Sequence, residues 1–251
     1  MADFKEETTV DNTESNPVEE TIEARKPIDP NLQGVQLFYE KNKKAVTYVG
    51  GGLLLIIGAL CFFKLYYLPE QEKEAVNEIF WAESLFAKDS FNMAVKGGAM
   101  VMAAEGQKQM KGFEQIADEY GMTKTGSLAN YYAGVCYMRT GNFDQAIEFL
   151  GKYSGGDETI APIAIGAIGD CNMELNRVDE AIKYYTKAAD KVNNNFTSPY
   201  YLKKAGFANE LKGNNSEALN IYERIQKEYP KSTEAQDIEK YIAKVKASNN
   251  L

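Results

Sequence analysis

The chain has 251 residues, a formal net charge of −8 and no histidine. A net-negative chain with no basic cluster beyond its hydrophobic stretch argues against nucleic acid, which needs a positive face to neutralise phosphates. The missing histidine removes the commonest general base, the commonest metal ligand and the usual partner of a catalytic Ser or Cys, and three Cys are too few for a disulfide framework.

Residues 1–34 read as an acidic tail. Asp3, Glu6, Glu7, Asp11, Glu14, Glu19, Glu20, Glu23 and Asp29 outnumber Lys5, Arg25 and Lys26, and Pro17, Pro27 and Pro30 interrupt any helix. A segment this poor in apolar residues cannot offset its ordering entropy, so it is expected to be disordered. Its role is either that of a solvating leader or that of a recruitment tail for a basic partner.

Residues 35–68 read as an interfacial segment followed by a membrane-spanning helix. Within Leu32 to Lys44, the apolar Val35, Leu37 and Phe38 with Lys41, Lys43 and Lys44 suit a short helix on anionic headgroups. Val46 to Phe63 then carries no charge, and the run from Ala45 to Leu68 supplies the roughly twenty residues that cross a bilayer. It is too long and begins too late for a cleaved signal peptide. Lys41, Lys43 and Lys44 precede the span, whereas Lys64 and Lys73 follow it among acids. This lysine bias predicts a cytoplasmic N-terminus and a C-terminal domain outside the cytoplasm, with Tyr66 and Tyr67 at the far interface.

Pro69 is expected to break the helix. Beyond it, Glu70 to Lys88 has an amphipathic pattern with Ala75, Ile79, Ala82 and Phe86 near one face. Internal repetition follows. Three segments align on Ala146, Ala181 and Ala218, at intervals of about 35 and 37 residues. Gly134, Gly169 and Gly206 precede these alanines at one fixed offset, and Gly141, Asn176 and Gly213 at another. Leu150, Tyr185 and Tyr222 follow at a third, and Pro230 trails the last unit.

This pattern resembles the tetratricopeptide repeat, a helix–turn–helix unit of about 34 residues with small residues where helices touch. The glycines permit close approach of the first helix to the second, the alanines fill the crossing, and Gly141, Asn176 and Gly213 end first helices in a left-handed conformation. The pattern departs from the family at Asn130, Ile165 and Leu202 early in the first helix, and at Asn172 and Asn209 where Tyr137 fits. The expected fold is all-α, one N-terminal transmembrane helix followed by a tetratricopeptide-repeat solenoid over 70–251. Its repeats lie near 80–121, 127–160, 162–196 and 199–232, the first with an insertion at Ser90 to Gly106, and a capping helix covers 232–248.

No nucleophile has a base, no glycine loop cradles phosphate and no metal spacing occurs, so no catalytic, cofactor-binding or metal site is assigned. Cys136 and Cys171 fall where the third unit has Ala208, which predicts small buried thiols beyond disulfide reach of each other. Asp144, Glu148, Asp179 and Glu180 read as solvated acids. The stack is expected to bind partner proteins in a groove lined by first helices. Tyr131, Tyr132, Met138, Arg139, Tyr200, Tyr201, Lys203 and Lys204 on or beside those helices are its candidate contacts, aromatic, Met and Arg being interface chemistry.

The layout of residues 35–251, with its lysine-rich lead-in (Phe38-Tyr-Glu-Lys-Asn-Lys-Lys), one span and then repeats, resembles the bacterial YfgM-like family. That resemblance implies an inner-membrane protein with a periplasmic repeat domain. Its partners would be the SecYEG translocon and a membrane-anchored peptidyl-prolyl isomerase, and it would help exported polypeptides fold. The alternative is a periplasmic scaffold for another envelope complex, in division or outer-membrane assembly.

Overall fold

The computed structural model describes residues 30–103 and 106–248. The chain divides into two compact units, Met1–Gly58 and Ala59–Leu251. The disorder expected of residues 1–29 lies outside the described residues. Helix α1 spans Pro30–Lys41. Pro30 opens this helix instead of interrupting it, because its fixed φ suits a first helical position, where no N–H is needed.

Helix α2 (Lys43–Phe62) buries none of its residues. Leu53, Leu54, Leu55, Ile56 and Ile57 lie exposed in succession, so apolar side chains surround the helix on every face. A core helix would bury one of those faces. The helical stretch Lys43–Phe86 contains a window long and apolar enough to cross a membrane.

The expectation that Pro69 ends the helix is corrected. A π-helical turn over Phe63–Tyr67 leads directly into α3 (Leu68–Phe86), and the Leu68 N–H bonds the Phe63 carbonyl. A proline ring clashes with the carbonyl four residues before it and offers no N–H. The wider π turn displaces that carbonyl and absorbs the missing donor, so the helix continues.

Helix α3 buries Ala75, Ile79 and Ala82, the face its periodicity marks. The insertion that follows holds α4 (Phe91–Lys96) and an antiparallel hairpin of β1 (Gly97–Ala103) and β2 (Gly106–Lys111). Helix α5 (Phe113–Glu119) then returns to the stack. Phe86, Phe91, Phe113 and Tyr132 interlock there, with Phe113 and Tyr132 stacked at 4.9 Å between centroids.

Three helix pairs follow: α6 (Lys124–Arg139) with α7 (Phe143–Lys152), α8 (Ile160–Glu174) with α9 (Val178–Lys191), and α10 (Thr197–Lys212) with α11 (Asn215–Glu228). A 3₁₀ turn at Glu234–Asp237 and α12 (Ile238–Ser248) complete the stack. Ala146, Ala181 and Ala218 are fully buried at the three crossings. Gly134 faces Leu150, Gly169 faces the Tyr185 ring and Gly206 faces the Tyr222 ring, so helix axes approach where a side chain would not fit. Each first helix stops the same way. Gly141, Asn176 and Gly213 have φ of 78°, 55° and 80°. The next residue's N–H bonds five residues back in every pair, Asn142 to Tyr137, Arg177 to Asn172 and Asn214 to Asn209, at 2.8–2.9 Å. With the companion bond from each left-handed residue to Met138, Met173 or Glu210, this is a Schellman motif repeated three times.

The departures from the repeat pattern have a local solution. Asn130, Asn172 and Asn209 are buried, and each amide donates to the carbonyl four residues back in its own helix, Gly126, Ile168 and Ala205. A polar side chain is thereby tolerated where the repeat usually carries an aromatic.

Two glycines of different surroundings test the packing. A Cβ at Gly169 would stand 2.6 Å from the Tyr185 ring, whereas at Gly151, also helical, it would meet nothing within 4 Å. Gly169→Ala is expected to destabilise by about 1–3 kcal/mol through overpacking. Gly151→Ala is expected to stabilise by up to about 1 kcal/mol through helix propensity. Urea midpoints of the two variants should therefore move in opposite directions.

Candidate partner-binding face

First helices α6, α8 and α10 are set at their N-termini by side chains. Thr123 Oγ1 accepts from the Gly126 N–H at 2.9 Å, Asp157 Oδ1 from Thr159 N–H at 2.9 Å, and Asn194 Oδ1 from Phe196 and Thr197 N–H at 2.8 and 2.7 Å. Between repeats, the register is held by ion pairs joining residues 33 or 34 apart, one repeat to the next. Asp144 pairs with Arg177, Asp179 with Lys212 and Asp190 with Arg224. Asp170 pairs with Lys204, Lys203 with Asp237 and Glu210 with Lys244.

Asp170 joins two partners at one such node. It accepts from Tyr185 Oη at 2.6 Å and from Lys204 Nζ at 2.7 Å. The Lys204 ammonium also lies 5.0 Å from the Tyr200 ring centre and 5.5 Å from that of Tyr185. Burial alone would lower the Lys204 pKa, but the Asp170 hydrogen bond and charge outweigh it and raise it. Burial first, then the bond to Asp170, pushes the Tyr185 hydroxyl upward.

The structure separates the eight candidate contacts. Tyr132 belongs to the aromatic cluster around Phe86 and Phe113. Tyr201 is buried, its ring filling the space that a side chain at Gly166 would need. Tyr131 is half-buried between Tyr132 and Tyr153. Lys203 and Lys204 hold Asp237 and Asp170 across repeat boundaries. Arg139 and Tyr200 are exposed, whereas Met138 is half-buried and packs against the core. Met138 and Arg139 meet Met173, Glu174, Tyr185 and Lys204 around an open cleft of about 600 Å³.

Two exposed residues escaped the sequence reading. On α10, Phe207 is 40% exposed and Leu211 68%, in line with Tyr200 at 44%. Their spacing, seven and then four residues, places all three on one helical face, and this was the available signal. Phe207 also packs edge-on against Tyr241 of α12 at 5.0 Å. The stripe therefore runs onto the capping helix, with the Lys203–Asp237 and Glu210–Lys244 pairs beside it.

Cys136 and Cys171 are buried free thiols. Desolvation pushes both up to about 12, so neither is a nucleophile at neutral pH.

Residues 128–154 and 202–232 match one tetratricopeptide-repeat family model, and residues 164–190 match another. These spans coincide with the three helix pairs, which are tetratricopeptide-like repeats. Repeats of this kind are typically non-enzymatic protein-binding scaffolds, and no catalytic family is indicated. No curated protein matches the chain.

Asp170→Ala is expected to cost roughly 1 kcal/mol, because it leaves half-buried Lys204 and buried Tyr185 without their acceptor. Asp144→Ala, whose pair with Arg177 is exposed on both sides, should cost no more than a few tenths. Denaturant titration of both variants measures the contrast.

Alkaline pH should also weaken the fold. The thiols ionise near 9.0 when unfolded and near 12 when folded, so the unfolded chain releases its protons first. The contribution of Lys204, raised above 10.5 in the fold, is complete below its unfolded value and is lost as pH rises through the folded one. The urea midpoint is expected to fall steadily from about pH 8.5 to about pH 12.

Proposed function

We propose that the protein is a membrane-anchored, non-enzymatic scaffold that holds protein partners against the face of α6, α8 and α10. The observation that carries this reading is the exposed stripe of Tyr200, Phe207 and Leu211 on α10. Exposed aromatic and aliphatic anchors with fixed charges around them are what a protein interface requires. The charges of Asp170 and Lys204 are already neutralised within the stack, so binding would rest on apolar anchors, with rim charges selecting among partners.

The layout supports a more specific version of the same reading. The anchor is α2 in the bacterial inner membrane, with the N-terminus cytoplasmic and the repeats periplasmic. The partners are the SecYEG translocon and a membrane-anchored peptidyl-prolyl isomerase, and the clients are exported polypeptides whose folding is assisted.

Two experiments test this at different levels. Phe207→Glu combined with Leu211→Glu should weaken partner capture from detergent extracts at least about tenfold while leaving circular dichroism unchanged. Undiminished capture would remove the face from the proposal. Mild-detergent co-purification of the unaltered chain should recover SecYEG, and recovery of division or outer-membrane assembly proteins in its place would move the scaffold to that other envelope complex. Protease added to intact spheroplasts should digest the repeat domain, and protection of the domain would reverse the proposed topology.

A further inference from the structure

The hairpin inserted before the first complete repeat has no part in the partner-binding face, and its two edges differ. Strand β2 is flanked by α3 and α5. Lys108 is tied to Glu78 and Lys111 to Glu119. Strand β1 pairs with β2 through Met100–Gln109, Val101–Lys108 and Met102–Gln107. Among the described residues, no other backbone hydrogen bond involves Ala99 to Ala103. In an antiparallel pair only alternate residues bond the neighbour, so the remaining N–H and C=O groups of β1 form an open edge. Gly98 lies outside this row, since its carbonyl accepts from the Gln109 side chain.

Open edges are normally guarded by lysine, proline or a bulge within the strand. The register does shift between Gly97 and Met100, but the regular part beyond the shift carries no guard. Gly97–Ala103 has neither charge nor proline, and among the described elements β1 alone has no charged side chain. Its side chains alternate, with Ala99 and Val101 packed toward the core and Met100 and Met102 turned outward at 63% and 68% exposure.

We propose that β1 is a self-association edge, pairing antiparallel with β1 of a second copy to form one four-stranded sheet. What the edge lacks is a strand, because unpaired N–H and C=O groups at strand spacing are satisfied in register only by another extended backbone. The charge pattern selects the second copy. A two-fold pair sets the residue on its axis against its own copy and mirrors the others about it, so a charge near the middle of so short a strand would lie close to its like. β1 is the element where that repulsion is absent, and the hairpin lysines sit one strand away, neutralised by Glu78 and Glu119. The outward methionines of both copies would then share one apolar face, and their flexible thioethers adapt to a symmetric contact.

The test uses the full chain in membranes, with Cys61→Ser to remove the exposed thiol; Cys136 and Cys171 are buried. Single substitutions Ala99→Cys, Met100→Cys, Val101→Cys and Met102→Cys are oxidised in turn, with Phe207→Cys on α10 as the control. A disulfide needs Cα atoms within about 7 Å, so the position nearest the two-fold axis should give covalent dimer at least about fivefold above the control, with yield falling away from it. Adding lysines at the edge, for example Met102→Lys beside Val101→Cys, should abolish that dimer while circular dichroism is retained. Crosslinking no higher than the control, crosslinking to a different protein, or a dimer that survives the lysine would each overturn the proposal.

Discussion

Each repeat depends on one contact, the crossing where its two helices approach around a glycine and an alanine. Gly134, Gly169 and Gly206 leave room for Leu150, Tyr185 and Tyr222, and the buried Ala146, Ala181 and Ala218 complete the crossing. That distance fixes what the connecting turn must do. Helices packed this closely need a short, sharp reversal, which the three Schellman motifs at Gly141, Asn176 and Gly213 supply. It also determines which aromatic rings are committed to packing. Tyr185 and Tyr222 reach back across the crossing to bond Asp170 and Glu210 on their own first helices, so the crossing organises the carboxylates as well as the backbone.

Those carboxylates extend the order from one repeat to the next. Asp170 and Glu210 accept a tyrosine hydroxyl from within the repeat and a lysine from the following one, Lys204 or Lys244. In a solenoid, stability is approximately a sum of repeat and interface terms. Ion pairs at a constant interval of 33 or 34 residues add one more interface contribution at each step. Individually they are worth little at the surface. Their consequence is for register, since a slip of the stack by one helical turn would separate every pair at once.

The repeat architecture was legible because its signals are local and periodic. The glycines, alanines and left-handed residues recur at fixed offsets, and each does the same physical work in every copy. Side-chain direction was less legible. Tyr200 and Tyr201 are adjacent in sequence, yet one is exposed and the other fills the space beside Gly166. A list of aromatic residues on first helices cannot make that distinction, whereas helical spacing would have added Phe207 and Leu211. Lys203 and Lys204 look like free ligand contacts in the sequence, but their partners, Asp237 and Asp170, lie a full repeat away in opposite directions. The hairpin had no repeat to be compared with. Its alternating Met100, Val101 and Met102 was too short a pattern to outweigh the helical elements around it.

Pro69 shows how a strong local rule is overridden. A proline terminates a helix because of one missing donor and one clash, and both involve the turn before it. Widening that turn by one residue over Phe63–Tyr67 removes both objections and lets α3 follow directly. The change has a geometric consequence. A π turn shifts the helical phase by about one residue, roughly 100°, so an apolar stripe cannot run in line from Phe62 to Val76. Side chains before the turn are exposed on all sides, the pattern of a candidate membrane span, while those after it, Ala75, Ile79 and Ala82, form a single buried face. The turn lies where the requirement changes, so the two patterns need no common phase, and the proline marks that change of rule instead of the end of the helix.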